Sequence, residues 1–146
     1  FTGIRRPPGS VNVRDPAGRK ECFLCRQWLS EDEYYSSKTS GDFLVSECKV
    51  CAVAKRQRLT RNDIDRLLLE QQGKCPICSD PLDSGFAIDH DHACCPDGRN
   101  KKSCGKCVRG LLCRNCNLGL GNFRDRVDAL GAAQGYLAAY TERRST

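Results

Sequence analysis

Ten of the twelve cysteines in this 146-residue chain fall in CxxC pairs, and this spacing constrains the fold more than any other feature. A CxxC turn presents two thiolates on one small knuckle, and two such pairs complete the tetrahedral four-thiolate set that structural zinc prefers. A disulfide framework is the alternative for a cysteine-rich chain, and the spacing decides between them. The repeated pairs therefore predict zinc sites.

The sequence favours a reducing compartment for these thiols. It shows no signal-peptide pattern, and no apolar run approaches the roughly eighteen residues that a membrane span needs. We therefore expect a cytoplasmic protein with no membrane partner.

The composition favours a small protein that depends on metal for its stability. Hydrophobic residues make up 39% of the chain, and because this fraction includes the cysteines, few other side chains remain to build a core. Small domains with so little apolar material are usually stapled by metals or disulfides.

The net charge is a weak guide to the partner. A formal value of +6 suggests a polyanion, but each four-thiolate zinc site carries about −2, so two sites leave roughly +2. Nucleic-acid binding must therefore be argued from clustering, for which a solvated loop is the alternative. The densest basic run is Arg99, Lys101, Lys102, Lys106, Arg109 and Arg114.

The chain divides into three segments, at residues 1–20, 21–58 and 59–146. The first is rich in Arg, Pro and Gly with little periodic apolar content, which predicts a basic extended arm. Such an arm could lie along a phosphate backbone, and a plain disordered tail is the alternative. Its basic residues are Arg5, Arg6, Arg14, Arg19 and Lys20.

The second segment has one CxxC pair near its start and another near its end, which predicts an N-terminal zinc-ribbon-like unit. Aromatic residues between the pairs would form a small core around the metal, and stacking on bases is the alternative role for them. The predicted ligands are Cys22, Cys25, Cys48 and Cys51.

The third segment opens with a predicted helix at residues 60–73. Thr60 can cap this helix, Asp63 suits its first turn, and Gly73 ends it. A further helix near the end of the chain, around residues 127–140, has apolar side chains at helical spacing that would serve for structural packing.

Between these helices lies a second set of cysteines with an open pairing. Cys75 and Cys78 need a second pair, which is either Cys104 with Cys107 or Cys113 with Cys116. The apolar residues of 108–112 fit a buried strand, and the last pair would form the exit from that strand into a helix.

Both histidines of the chain lie in the tetrapeptide Asp89, His90, Asp91 and His92. Aspartate is a hard oxygen ligand that suits magnesium, and histidine, which titrates near neutrality, suits proton transfer. Hydrolysis of a phosphodiester needs a divalent ion and a base, so this segment carries both kinds of group. A polar surface cluster is the alternative interpretation.

Three motifs together resemble a known class of enzyme: CPIC, DHDH, and VRGLLCRNCN followed by LG. Over residues 60–140 the chain resembles the ββα-metal (HNH-type) nucleases, and most closely the recombination endonuclease VII family of phage resolvases and their bacterial relatives. This resemblance implies a small α+β protein with a ββα-metal nuclease core of DNA-cleaving activity, and a phage or bacterial origin.

The resemblance also implies roles for particular residues. Zinc would be held by Cys75, Cys78, Cys113 and Cys116. A single catalytic Mg²⁺ (or Mn²⁺) would be held by Asp89 and Asn117, with His90 as the general base. His92 is the fallback base or a phosphate ligand, and Arg109 would contact a phosphate. The expected products carry a 5′-phosphate and a 3′-hydroxyl.

One position departs from the family pattern. The phage resolvases have a glutamate three residues after the helix asparagine, where this chain has Leu120. Junction-resolving activity also depends on dimer-forming helices that the sequence does not identify, although two cuts for a double-strand break favour a homodimer.

The nuclease motif does not use four further cysteines, namely Cys94, Cys95, Cys104 and Cys107. A third zinc that stiffens a long basic loop is one interpretation, and free thiols or a disulfide is another. Two neighbouring cysteines on one ion would strain the backbone. A zinc site made of His92, Cys95, Cys104 and Cys107 is therefore an alternative form of the first interpretation.

Three functions remain open. The first is a sequence-tolerant endonuclease that acts on double-stranded, branched or damaged DNA. The second is a site-specific HNH restriction or homing endonuclease, in which the arm and the N-terminal zinc unit read bases. The third is a zinc DNA-binding module with a dead nuclease motif, against which the intact Asp89, His90 and Asn117 argue.

Overall fold

A computed structural model describes residues 13–83, 85–94 and 103–145 of the chain. Within these ranges the six strands are β1 (Lys20–Glu21), β2 (Trp28–Leu29), β3 (Tyr34–Ser36), β4 (Leu44–Cys48), β5 (Ala87–His90) and β6 (Val108–Leu112). The helices are α1 (Lys49–Arg56), α2 (Arg61–Glu70), α3 (Arg114–Asn122) and α4 (Val127–Ser145), with one 3-10 turn at Glu31–Glu33. The protein is thus a small α+β fold, as the sequence predicts.

The strands pair only in twos. Three antiparallel sheets join β1 to β2, β3 to β4 and β5 to β6 among the described residues. Two-stranded sheets bury little apolar surface by themselves, so each needs another source of stability.

The described residues form two compact units that do not follow chain order. The first compact unit contains the residues up to Arg66 together with those between Asp91 and Cys107. The second compact unit contains Leu67–His90 and the residues from Val108 onward. The loop between β5 and β6 therefore belongs with the N-terminal half of the chain, although β5 and β6 themselves do not.

Three cysteines lie at the centre of a buried cluster in the first compact unit. Cys22, Cys48 and Cys51 are buried together with Tyr34. The Tyr34 hydroxyl donates a hydrogen bond to the carbonyl of Lys20 at 2.7 Å. Burial and the nearby thiolates raise the pKa of Tyr34, so the phenol stays neutral and keeps this bond.

The described end of the predicted basic arm, residues 13–20, is folded rather than extended. Its basic residues each contact an acid: Lys20 with Asp42, Arg14 with Asp42 and Glu31, and Arg19 with Asp15. Lys20 is only 2% exposed and begins β1, so it has no free ammonium to offer a phosphate. The sequence did not indicate this difference for Arg14 and Lys20, because their partners Glu31 and Asp42 lie 17 to 28 residues further along the chain. Arg5 and Arg6 lie outside the described residues.

The helix predicted at residues 60–73 is confirmed as α2. The Thr60 N–H donates to an Asp63 carboxylate oxygen at 2.8 Å, and the Asp63 N–H donates to the Thr60 hydroxyl at 3.3 Å. These reciprocal bonds satisfy two of the free donors at the helix start. Gly73, at a φ of 67°, follows the end of the helix as expected.

The helix near the end of the chain is also confirmed, as α4, but its apolar face is not used for packing as predicted. Val127 is 82% exposed, Leu137 is 65% exposed and Tyr140 is 54% exposed. Apolar spacing identifies a face, whereas the burial of that face depends on the rest of the fold. No helix in the described ranges is both long enough and apolar enough to cross a membrane.

The second compact unit is centred on the hairpin of β5 and β6. Ile88, Leu111 and Leu112 are the buried apolar residues of these two strands. Helix α3 begins directly after β6 and packs against both strands. This strand–strand–helix order is the ββα arrangement that the sequence predicts.

Gln71, directly after α2, forms two hydrogen bonds with the edge of β6. Its side-chain amide donates to the Leu111 carbonyl at 2.8 Å and accepts from the Leu111 N–H at 2.8 Å. The close approach requires glycine beside it, because a Cβ on Gly110 would lie 2.8 Å from Gln71 Oε1. Gly110 therefore keeps the hairpin accessible to this side chain.

We predict that Gly110→Ala destabilises the protein by about 1–3 kcal/mol, because the added methyl group displaces Gln71 and leaves the Leu111 backbone groups without their partner. Denaturant unfolding at fixed zinc concentration measures this change. Gly131→Ala is the matched control: nothing lies within 4 Å of its Cβ position in α4, so it should leave stability equal or higher. Equal stability of the two variants would contradict the role given to Gly110.

Candidate active site and metal centres

The described cysteines gather into three clusters. In each cluster the sulfur atoms all lie within 4.8 Å of one another; the sets are Cys22, Cys25, Cys48, Cys51; Cys75, Cys78, Cys113, Cys116; and Cys94, Cys104, Cys107. Zinc–sulfur bonds of about 2.3 Å in a tetrahedron separate the sulfurs by about 3.8 Å. The 3.6 Å between the sulfurs of Cys78 and Cys113 agrees with this value, so these clusters could hold zinc.

The first cluster matches the predicted ligand set of the N-terminal unit. The Cys48 N–H donates to Cys22 Sγ at 3.3 Å, and the Cys51 N–H donates to Cys48 Sγ at 3.4 Å. Hydrogen bonds from the Cys48 and Cys51 thiols lower the pKa of Cys22. A thiolate stabilised in this way is the form that binds metal.

The second cluster decides between the two pairings that the sequence left open. Cys75 and Cys78 meet Cys113 and Cys116, and not the pair at Cys104 and Cys107. Burial raises the pKa of Cys75, but hydrogen bonds from backbone N–H groups, those of Cys78 and Cys113 first, outweigh it and lower the value to about 6.

Both four-cysteine clusters use the same local design. A strand ends at a cysteine, Cys48 in β4 and Cys113 after β6, and this residue is the N-cap of the next helix. In each case the cap sulfur accepts a hydrogen bond from the backbone N–H three residues later. One side chain thereby caps the helix and offers a metal ligand.

The third cluster lies in the loop between β5 and β6. Cys94 and Cys104 have their sulfurs 3.9 Å apart, and Cys107 completes the cluster. Cys95 lies outside the described residues, and His92 is not a member of the cluster. The described cluster therefore contains three of the four cysteines of the first predicted set and two of the cysteines of the variant set.

Nearby bonds hold this loop within the first compact unit. The Ser103 hydroxyl donates to the carbonyl of Gln57 at 2.7 Å, and the Ser103 N–H donates to the Gln57 side chain at 2.7 Å. Ser103 is 1% exposed, and a Cβ on Gly105 would come within 3.1 Å of the Arg58 carbonyl. The loop is thus tightly fitted to the segment that follows α1.

Asp89 and His90 occupy the end of β5, where both are 8% exposed. Opposite them the ladder is irregular: Asp89 pairs with Gly110, but His90 pairs with Val108. Arg109 is the extra residue of this bulge. Bulges often re-aim a side chain beside an active site.

The Arg109 side chain is directed at Asp89. Its Nε and Nη2 donate to the two carboxylate oxygens of Asp89 at 2.6 and 2.9 Å. Nη2 also lies 3.2 Å from an oxygen of Asp125. The hydrogen-bonded carboxylate of Asp89, and to a smaller extent Asp125, raise the pKa of Arg109, so this side chain stays charged.

Asp125 is a site residue that the sequence reasoning missed. It follows α3 in a turn where Arg124 and Asp125 both have positive φ, 54° and 55°. Its partner lies sixteen residues earlier in the bulge, so no local motif could identify the contact.

The remaining predicted residues fall in two places. Asn117 is in α3, half-buried, and its N–H donates to the Cys113 carbonyl at 3.1 Å. His92 is exposed and belongs to the first compact unit, whereas Asp89, His90, Arg109 and Asn117 belong to the second. The described hairpin and α3 therefore carry most of the predicted site in one unit.

Replacing Cys113 by serine should lower the zinc content by about one ion per chain and reduce the free energy of unfolding by more than about 4 kcal/mol. Serine can still cap the helix, so any loss of zinc or stability reports the removal of the metal ligand and not the removal of the N-cap. Metal analysis together with denaturant unfolding measures both effects. Asn115→Ala, an exposed change in the same helical turn, is the control and should keep its zinc. A Cys113→Ser protein with full zinc content would contradict the assignment.

Comparison with known proteins finds a match to one family and a partial similarity to a solved structure. Residues 50–139, more than half of the chain, match the sequence profile of the family described as recombination endonuclease VII. Among solved structures, the ββα-Me type II restriction endonuclease Hpy99I is similar over 84% of this chain, with 21% identity and a TM-score of 0.35. The match covers 66% of that enzyme's chain. No curated protein matches the chain.

Proposed function

The chain belongs to the recombination endonuclease VII family, and from this premise we propose that it is a metal-dependent endonuclease that hydrolyses phosphodiester bonds in DNA. The observation that carries the proposal is the buried pair Asp89 and His90, which ends β5 inside the family-matched residues. A buried carboxylate beside a buried imidazole combines a hard metal ligand with a proton acceptor.

The donor chemistry fits a hard divalent cation. Asp89 is buried and already holds a cationic group with both oxygens, so its surroundings accommodate positive charge. Asn117 adds a neutral amide oxygen on α3, which packs against the strand of Asp89. These two residues would hold Mg²⁺ or Mn²⁺. When bound, the ion supplies positive charge for the phosphate and the leaving oxygen.

The other residues act directly on water and phosphate. His90 takes the proton from the attacking water, and its place at the end of a strand limits the motion of the ring. His92, exposed on the loop, is the second candidate for this role or a phosphate ligand. Arg109 contacts a phosphate once its guanidinium turns from Asp89. The products carry a 5′-phosphate and a 3′-hydroxyl.

The substrate proposed is double-stranded DNA, including the branched forms that recombination produces. A homodimer would provide two cuts on opposite strands. Reduced thiols are required for the cysteine clusters to bind metal, so we place the protein in a reducing, cytoplasmic compartment. A site-specific restriction or homing enzyme differs from this proposal in its products rather than in its chemistry.

His90→Ala should lower the cleavage rate at least about 100-fold, because the step loses its proton acceptor. The measurement uses plasmid, a long defined duplex and a four-way junction in Mg²⁺. Discrete duplex fragments would favour site-specific recognition, and junction cleavage would favour a resolvase.

The matched control is His92→Ala, with zinc content and DNA binding measured for both variants. A wild-type rate in His90→Ala together with a large loss in His92→Ala would move the base to His92. Wild-type rates in both variants would contradict the mechanism.

We also propose three zinc ions per chain, two structural and a third held by Cys94, Cys104 and Cys107. Metal analysis should give about three equivalents, and Cys104→Ser should lower this number by about one. Lys106→Ala, an exposed change between two of the ligands, is the control and should keep all three. A count of two equivalents in the parent protein would contradict the third site.

A further inference from the structure

The guanidinium of Arg109 bridges two carboxylates, and this bridge bears on how Asp89 could bind a divalent ion. Nη2 contacts Asp89 at 2.9 Å and Asp125 at 3.2 Å, while Nε contacts Asp89 alone at 2.6 Å. The side chain of Asp89 is 10% exposed and that of Asp125 is 19% exposed. All three groups lie in the second compact unit.

The backbone holds each member of the bridge in place. Arg109 is the extra residue of the β-bulge, opposite Asp89. Asp125 is held by its own N–H, which donates to the Leu120 carbonyl at 3.0 Å, in the turn that closes α3. The two carboxylates thus approach one guanidinium from separate elements.

A divalent ion at Asp89 would compete with Arg109 for the same negative charge. Both oxygens of Asp89 accept hydrogen bonds from the guanidinium, and a cation bound there would repel it. Arginine remains charged at any accessible pH, so it cannot yield by losing a proton. It must instead keep another anionic partner, and Asp125 already contacts Nη2.

We propose that Asp125 is a positioning residue that holds Arg109 when Asp89 accepts a divalent ion, and so sets the affinity of the Asp89 site for that ion. The inference rests on the proposed function, in which Asp89 is a metal ligand. A rotation that breaks the hydrogen bonds of both Nε and Nη2 to Asp89, while Nη2 keeps its contact with Asp125, frees the carboxylate. Without Asp125, the guanidinium has Asp89 as its single partner in this bridge and competes more strongly with the ion.

The test measures Mn²⁺ binding by electron paramagnetic resonance to the zinc-loaded chain without DNA, so the result does not depend on cleavage. Asp125→Asn should weaken Mn²⁺ binding about 3- to 10-fold. Asparagine tolerates positive φ, so the turn is preserved. In the Arg109→Ala background the same substitution should have no effect, because the competing guanidinium is absent.

The matched control is Asp128→Asn. Asp128 lies three residues after Asp125 and pairs with Arg126, so this substitution removes the same charge at a nearby position. It should leave Mn²⁺ affinity unchanged. Zinc content and unfolding midpoint, measured for every variant, should stay at parent values.

The outcomes separate this inference from the proposed function. Parent protein that shows no saturable Mn²⁺ binding, or binding that Asp89→Asn leaves intact, overturns the metal site and this inference with it. Binding at Asp89 that Asp125→Asn does not weaken overturns the inference alone. A loss that persists in the Arg109→Ala background also overturns it, because Asp125 would then act on the ion by direct attraction.

Discussion

Mutual repulsion among clustered thiolates is the constraint on which the rest of this structure depends. Four sulfurs within 4.8 Å are stable as thiolates only around a cation. The described core holds few large apolar side chains besides Ile64, Leu82 and the hairpin residues Ile88, Leu111 and Leu112. Metal–thiolate bonds at these clusters would supply the stability that a larger domain obtains from buried apolar side chains.

The same constraint reaches the candidate active site through α3. Cys113 is both a ligand in the second cluster and the cap of α3, and Asn117 lies one turn further along this helix. Because α3 packs against β5 and β6, an ion bound by this cluster would hold the helix of Asn117 against the strand of Asp89 and His90. In the proposed mechanism, a single helical turn therefore links the structural metal cluster to a residue that would hold the catalytic ion.

Features set by nearby residues could be predicted from the sequence, and features set by distant ones could not. The first cysteine set, the helix capped by Thr60, and the strand that leads into Cys113 follow from local spacing, and the structure confirms them. The choice between two partners for Cys75 and Cys78 needed the fold, although the family resemblance had indicated it. Side chains whose partners are far along the chain escaped: Lys20 meets Asp42, and Asp125 meets Arg109. In addition, a hydrophobic spacing such as that of α4 says which residues share a face but not whether anything covers it.

The bulge at Arg109 links the number of residues in β6 to the contact between Arg109 and Asp89. Deleting this one residue would restore regular hydrogen-bonded pairing opposite Asp89 and His90. It would also remove the guanidinium that donates to both carboxylate oxygens of Asp89. For this reason a chain that formed only a regular β5–β6 hairpin would lack Arg109, whereas a chain that keeps the contact between Asp89 and Arg109 carries one more residue in β6 and a less regular ladder.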